Sequence, residues 1–112
     1  MAFIYHIATA ADWERALRDG QYAMSTRGLT LAEQGFIHAS TAGQVALVAN
    51  VFYQGEPDLL LLVIDPGLVA SEIRYEHVPG QARPYPHIYG PLDVTAVVET
   101  RPFAPGPDGQ FS

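Results

Sequence analysis

The sequence predicts a single α+β domain built on a mixed or antiparallel sheet, and three observations lead there. The 112 residues suffice for one hydrophobic core and not for two. Hydrophobic residues make up 48% of the chain and charged residues only 16%, the balance of a packed globule rather than of a disordered or fibrous chain. Helical patterns fall early and strand patterns late, without the regular alternation of a βαβ fold and without an internal repeat.

Phe3 to Ile7 is aromatic and β-branched and predicts a strand. Thr9 is the expected cap of the next helix, with Asp12 as a weaker capping-box partner. Trp13, Ala16 and Leu17 recur at helical spacing until Gly20 supplies the stop. Tyr22 to Ser25 predicts a short strand, and the pair Thr30 and Glu33 opens a helix of one or two turns that ends at Gly35. Phe36 to His38 then reads as a strand feeding a helix over about Ala42 to Gln54. Thr41 and Gln44 form its capping box, and Val45, Leu47, Val48, Val51 and Phe52 make it apolar on nearly every side, so it should be largely buried.

Leu59 to Ile64 is an uninterrupted apolar run bounded by Asp58 and by Asp65-Pro66-Gly67, the pattern of a central strand covered on both faces. Glu72 to Val78 alternates, with Ile73, Tyr75 and His77 on one side and Glu72, Arg74 and Glu76 on the other. The Pro-rich stretch Pro79 to Pro86 predicts a surface loop. Strands follow over His87 to Gly90 and Val94 to Arg101, with a bend at Pro91 and Asp93. The domain should therefore occupy residues 1–103, and residues 104–112, rich in Pro and Gly, read as a frayed tail.

The formal net charge is -6, and the six basic residues are all Arg. That composition argues against non-specific grip on nucleic acid, which needs many cations to displace phosphate counterions. An anion site would have to draw on those few Arg or on the free amides of a helix N-terminus. With no Cys there is no disulfide, thiolate metal site or thiol nucleophile. The N-terminus lacks a secretory pattern and the longest apolar run is too short to cross a bilayer, so a soluble cytoplasmic protein without membrane attachment is expected.

Three histidines, His6, His38 and His87, lie on short apolar strands beside Tyr, Ser and Gly. Imidazole changes charge most readily near neutral pH, so their convergence would make a site. The expected cleft is lined by His6, Thr9, His38, Ser40, Glu76, His87 and Tyr89. Each of these residues also has a structural reading. The histidines can bond backbone carbonyls, Ser40, Thr41 and Gln44 can serve as caps, Tyr89 and Trp13 can be wall aromatics, and Glu76 can pair with Arg74. His6, His38, His77 and His87 with Glu76 could supply metal ligands, but no two of the histidines have zinc-site spacing and no metal is expected. Neither a Gly-x-Ser-x-Gly elbow, a Gly-x-Gly-x-x-Gly run nor a P-loop occurs.

The strings Tyr5-His6-Ile7, Glu33-Gln34-Gly35-Phe36-Ile37-His38-Ala39-Ser40 with Gln44, then Glu76, then Pro86-His87-Ile88-Tyr89-Gly90-Pro91, resemble the bacterial family known as domain of unknown function 952, over roughly Ile4 to Phe103. That family is similar in fold to the ADP-ribosyltransferases, which implies a split sheet. Tyr5-His6-Ile7-Ala8-Thr9 resembles the Tyr-His-Gly-Thr string that holds NAD in several of those enzymes, and Gly35 to Ser40 resembles their strand leading into a helix. The resemblance implies a nucleotide or phosphorylated ribosyl ligand such as NAD or ADP-ribose, with His6 on a ribose hydroxyl and the Ser40 and Thr41 amides near a phosphate. His87, and Glu76 one strand earlier, are the candidate acid–base groups, beside a substrate-binding set of His6, Thr9, His38, Ser40, Thr41, Gln44 and Tyr89.

Two positions depart from the transferase pattern. His87 stands where those enzymes place a catalytic Glu, and Ala8 stands in place of the Gly. A carboxylate stabilises an oxocarbenium-like ribose, whereas a protonated imidazole does the opposite. The related RNA 2′-phosphotransferases use several Arg, of which only Arg74 and Arg83 fall near the expected cleft. The alternative is a non-catalytic interaction module that keeps the scaffold and has lost the transferase chemistry. The sequence does not fix the oligomeric state.

Overall fold

The computed structural model describes residues 2–112. β1 (Ile4–Thr9) runs into α1 (Ala10–Asp19), where the Thr9 hydroxyl accepts from the Asp12 amide at 3.1 Å and Gly20, at φ 83°, ends the helix as its spacing predicts. The single strand expected over Tyr22 to Ser25 is two. β2 (Gln21–Tyr22) pairs with β9 (Leu92–Asp93), while β3 (Met24–Thr26) turns at Ala23 to pair with β4 (Leu29–Thr30). α2 (Leu31–Gln34) carries the full Thr30–Glu33 capping box and stops at Gly35. β5 (Ile37–His38) follows.

The next helix corrects the expectation in two ways. α3 spans Val45–Phe52, shorter at both ends than Ala42 to Gln54, because Gln44 forms only half of the predicted box. Its Oε1 accepts from the Thr41 amide at 3.0 Å while its Nε2 donates to the Pro84 carbonyl at 2.9 Å, so residues 42–44 are held as a turn clamped to the Pro-rich loop. Nor is α3 buried all round. Val45, Val48 and Ala49 face inward, but Leu47, Val51 and Phe52 are 57%, 70% and 53% exposed.

The remaining strands are β6 (Leu59–Ile64), β7 (Glu72–Glu76), β8 (Tyr85–Tyr89) and β10 (Val97–Phe103). β7 stops two residues short of Val78. β8 takes Tyr85 and Pro86 out of the predicted loop, even though Pro cannot donate to a ladder. Pro86 is tolerated because Ala39 donates to its carbonyl at 3.0 Å where β5 is already leaving for β1, so the missing N–H falls at the end of the β5–β8 ladder. Val94–Ala96, expected to open the last strand, forms a 3-10 turn instead.

Two three-stranded sheets result, ordered β1-β6-β10 and β5-β8-β7, and every strand pair among the described residues is antiparallel. They meet at a single bridge, in which Tyr5 and Ser40 exchange two backbone bonds of 2.8 Å. In the first sheet the period of two sends Ile4, His6 and Ala8 to one face with Leu62 and Ile64, and Ile7 to the other with Leu59 and Leu61. One core then forms against α1 and the second sheet, around Trp13, Tyr22, Ile37, Ile88 and Leu92; another forms under α3, around Val45, Val48, Ala49 and Tyr53. β6 is therefore central and covered on both faces, as its unbroken apolar run predicts. No helix among the described residues is long and apolar enough to cross a membrane.

The tail departs from the frayed segment that its composition suggests. Phe111 is buried in the α3 core, 5.0 Å from the Phe103 ring, and Asn50 both donates to its carbonyl and accepts from its amide, at 3.1 and 2.8 Å. One terminal aromatic outweighs the Pro and Gly that precede it. Phe111→Ala should lower stability by about 3 kcal/mol, read as an earlier urea midpoint with an unchanged fold; an unaltered midpoint would show that the tail is free.

Candidate functional site

Register assembles the site. In the second sheet His38 lies opposite His87 and Arg74 lies opposite His87 on the other side, so alternation gathers Phe36, His38, Tyr85, His87, Tyr89, Arg74 and Glu76 on one face while Ile37, Ile88 and Ile73 enter the core. A chain of hydrogen bonds runs along that face. His38 Nδ1 is 3.2 Å from His87 Nε2, His87 Nδ1 is 2.8 Å from Glu76 Oε1, and the Tyr89 hydroxyl donates to the same oxygen at 2.5 Å. Phe36 stacks on His87 with centroids 4.0 Å apart and planes 15° apart, and Arg74 lies 4.4 Å over the Tyr89 ring.

His6 reaches this chain from the first sheet. Ala39 points its N–H at β8, so in an extended strand the preceding carbonyl, that of His38, points the other way, toward the seam. His6 Nδ1 meets that carbonyl at 2.5 Å, and its Nε2 is 2.8 Å from the Tyr22 hydroxyl. The partners fix the protons: a carbonyl only accepts, so Nδ1 carries the hydrogen, and Tyr22 donates to the bare Nε2. By the same logic a neutral His87 donates Nδ1–H to Glu76 and accepts at Nε2 from His38 Nδ1–H, which leaves His38 with a lone pair on Nε2.

Burial sets the electrostatics. Loss of hydration pushes His6 down to about 4 against the raising effect of the His38 carbonyl, and pushes His38 to about 4 with His6 and His87 adding repulsion. The Tyr22 phenol is driven up by its own burial. Glu76 is held below the usual carboxylate range by the Tyr89 hydroxyl and then by His87, and Tyr89 is raised in return.

Of the expected cleft, His6, His38, Ser40, Glu76, His87 and Tyr89 are drawn into one neighbourhood, but they do not face a common open hollow. His6 is 3% exposed with both nitrogens occupied, which leaves none for a ribose hydroxyl. The Ser40 amide is bonded to Tyr5 and the Thr41 amide to Gln44, so neither is free for a phosphate. Gln44 is a clamp on the Pro84 loop, and Thr9 caps α1 and borders a separate depression with Pro57, Leu59 and Pro102 that no histidine touches. Glu76 does not pair with Arg74, which bonds Glu72 at 3.0 Å instead.

What opens to solvent lies beside the histidines. A groove of about 330 Å³ is lined by Phe36, His38, His87, Phe52 and Val78, and across Phe52 and Val78 it adjoins one of about 390 Å³ that runs under Leu47 and Val51 to Tyr85. Sequence reasoning missed Phe36, Phe52 and Val78 as wall residues, and Tyr22 as the partner of His6. Phe36 was detectable, since it sits two residues before His38 and therefore on the same face; Tyr22 carried no local signal. Among the described residues no three His, Asp or Glu side chains converge on a metal position.

The depressed histidines make the fold acid-sensitive in a defined window. Their folded values lie below the unfolded value near 6.5, so as pH falls the unfolded chain binds protons first. Stability is full above about pH 6.5, declines from there toward pH 4, and the loss reaches about 3 kcal/mol for fully buried His6. Urea midpoints should begin to fall above pH 5.5, before ordinary carboxylates titrate; midpoints flat from pH 7 to 5 would contradict this.

The model of the family described as "Protein of unknown function (DUF952)" matches residues 7–100. The chain is 28% identical to the protein CC0527 from Caulobacter crescentus. Its crystal structure superposes with a TM-score of 0.85 over 98% of this chain and 93% of that one. The solution NMR structure of CC0527 gives 0.80 over 100% and 93%. No curated protein matches. The match covers most of the chain and the similar solved fold spans nearly all of it, and the chain therefore belongs to the DUF952 family of proteins of unknown function.

Proposed function

We propose that the groove beside His38 and His87 binds a small molecule through a planar aromatic ring, the base or nicotinamide of a nucleotide such as NAD or ADP-ribose being the class that the sequence resemblance favours. The observation that carries this reading is the groove wall, in which Phe36, His38, His87 and Phe52 present aromatic surface together with Val78. No Arg lines either groove, so affinity comes from the ring rather than from a phosphate. Arg27, bonded to the Phe52 carbonyl and to Glu56, is the nearest of the named guanidiniums to the Phe52 wall.

Chemistry, where it occurs, proceeds through Glu76. Both His87 nitrogens are engaged, whereas the Glu76 side chain is 36% exposed and keeps Oε2 outside the chain of bonds. His87 then acts behind the carboxylate, holding its charge and orientation, while Glu76 meets the ligand. This gives the departure at position 87 a sense: the acidic group one strand earlier takes the outward position.

The exposed Leu47, Val51 and Phe52 favour a second reading, an interaction module whose partner covers α3. The two are separated by titrating adenosine, AMP, nicotinamide, ADP-ribose and NAD into isotope-labelled protein. The first reading predicts NMR shifts centred on Phe36, His38, Phe52 and Val78, AMP no tighter than adenosine by more than about threefold, and about tenfold weaker binding in Phe36→Ala. Silence toward all five at millimolar concentration, or shifts confined to other surfaces, would overturn it.

A further inference from the structure

Next to the groove, and sharing Ser25 and His38 with its lining, lies a small chamber walled by Ile7 and Val48 and by the polar side chains of His6, Ser25, His38, Ser40 and Tyr53. It leaves about 10 Å³ for the centre of a water-sized sphere, the size at which a single water fits. Two atoms of this wall, Ser25 Oγ and His38 Nε2, are shut off from solvent and have no hydrogen-bond partner among the described residues. Ser25 is fully buried. Buried polar atoms left unpaired are strongly disfavoured, and two that share one cavity of this size point to a common guest.

We infer that the chamber is a binding site for one ordered water molecule, held between His38 Nε2 and Ser25 Oγ. The proton positions already assigned set its orientation. His38 spends its hydrogen on His87, so Nε2 is an acceptor and the water donates to it; the Ser25 hydroxyl donates to the water oxygen. The second water hydrogen finds an acceptor in the Tyr53 hydroxyl, whose own hydrogen points at the Ile7 carbonyl, 3.4 Å away. A metal or ammonium cation does not suit the site: both His6 nitrogens are engaged, so His38 Nε2 is the one imidazole nitrogen left to it, and no carboxylate among the described residues lines the chamber.

The water extends the chain of bonds to Ser25–water–His38–His87–Glu76, running from a buried hydroxyl to a carboxylate at the surface. Water serves this place better than a fixed side chain would. If the bond between the two rings reverses, His38 carries its hydrogen on Nε2, and the water has only to rotate from donor to acceptor.

A high-resolution crystal structure tests it directly, together with proton exchange spectra that detect long-lived water. The expected result is one water peak about 2.7–3.2 Å from both Ser25 Oγ and His38 Nε2, with a cross-peak between that water and the His38 ring. Ser25→Val, whose methyls fill the chamber, should lose both the peak and the cross-peak and shift the His38 Nε2 resonance, whereas Ser25→Ala keeps the water. An empty chamber, or one that closes so that Ser25 bonds His38 directly, would overturn the inference. Should Ser25→Val fail to fold, the wild-type density and cross-peak decide the question alone.

Discussion

The hydrogen bond from His6 to the His38 carbonyl holds the two halves of this fold in register. The sheets share one bridge, Tyr5 with Ser40, and beside it a backbone carbonyl points into the interior with no strand to receive it. An unpaired carbonyl there would be costly, and an apolar residue at position 6 would leave it so. A neutral imidazole supplies the donor while its other nitrogen takes the Tyr22 hydroxyl, so three buried polar groups satisfy one another within a mostly apolar layer. With the His38 backbone fixed, its ring meets His87, and through His87 it meets Glu76 and Tyr89. The surface carboxylate is thus oriented by a contact made at the seam.

That ordering changes the meaning of the shared motif residues. The Tyr-His string on β1 and the Gly-Phe-Ile-His-Ala-Ser string through β5 are where the two sheets are tied together, and this engages both His6 nitrogens and the Ser40 amide. The nitrogens of His6, which the resemblance would set on a ribose, are both engaged inside the protein. In the function proposed above, recognition falls further out, on the aromatic wall of Phe36 and Phe52 and the exposed oxygen of Glu76. Arg74 is held over Tyr89 and on Glu72.

Much of this was legible from residue order. Caps at Thr9 and Thr30 and stops at Gly20 and Gly35 act within one turn, and each falls where local chemistry puts it. The apolar run of β6 announced a strand with no solvent face. His6 shares a strand face with the buried Ile4 and Ala8, an alternation that the expectation of an open cleft at His6 overlooked. Other features depended on partners far along the chain. Gln44 forgoes a complete capping box for the Pro84 carbonyl, Pro86 enters a central strand because β5 ends beside it, and Phe111 pulls a Pro- and Gly-rich tail onto α3. Tyr22 and Ser25 carried no pattern, since their roles exist only once β2 and β3 have met β1 and β5.

The account stands on His6 being a neutral donor at the seam. Imidazole nitrogen shifts recorded from pH 8 to pH 4 measure this without perturbing the protein. Such spectra should show His6 as one neutral tautomer, with its hydrogen on Nδ1, until the pH approaches 4. A His6 that titrates near 6.5, or that carries its hydrogen on Nε2, would leave the His38 carbonyl without a donor and contradict the account.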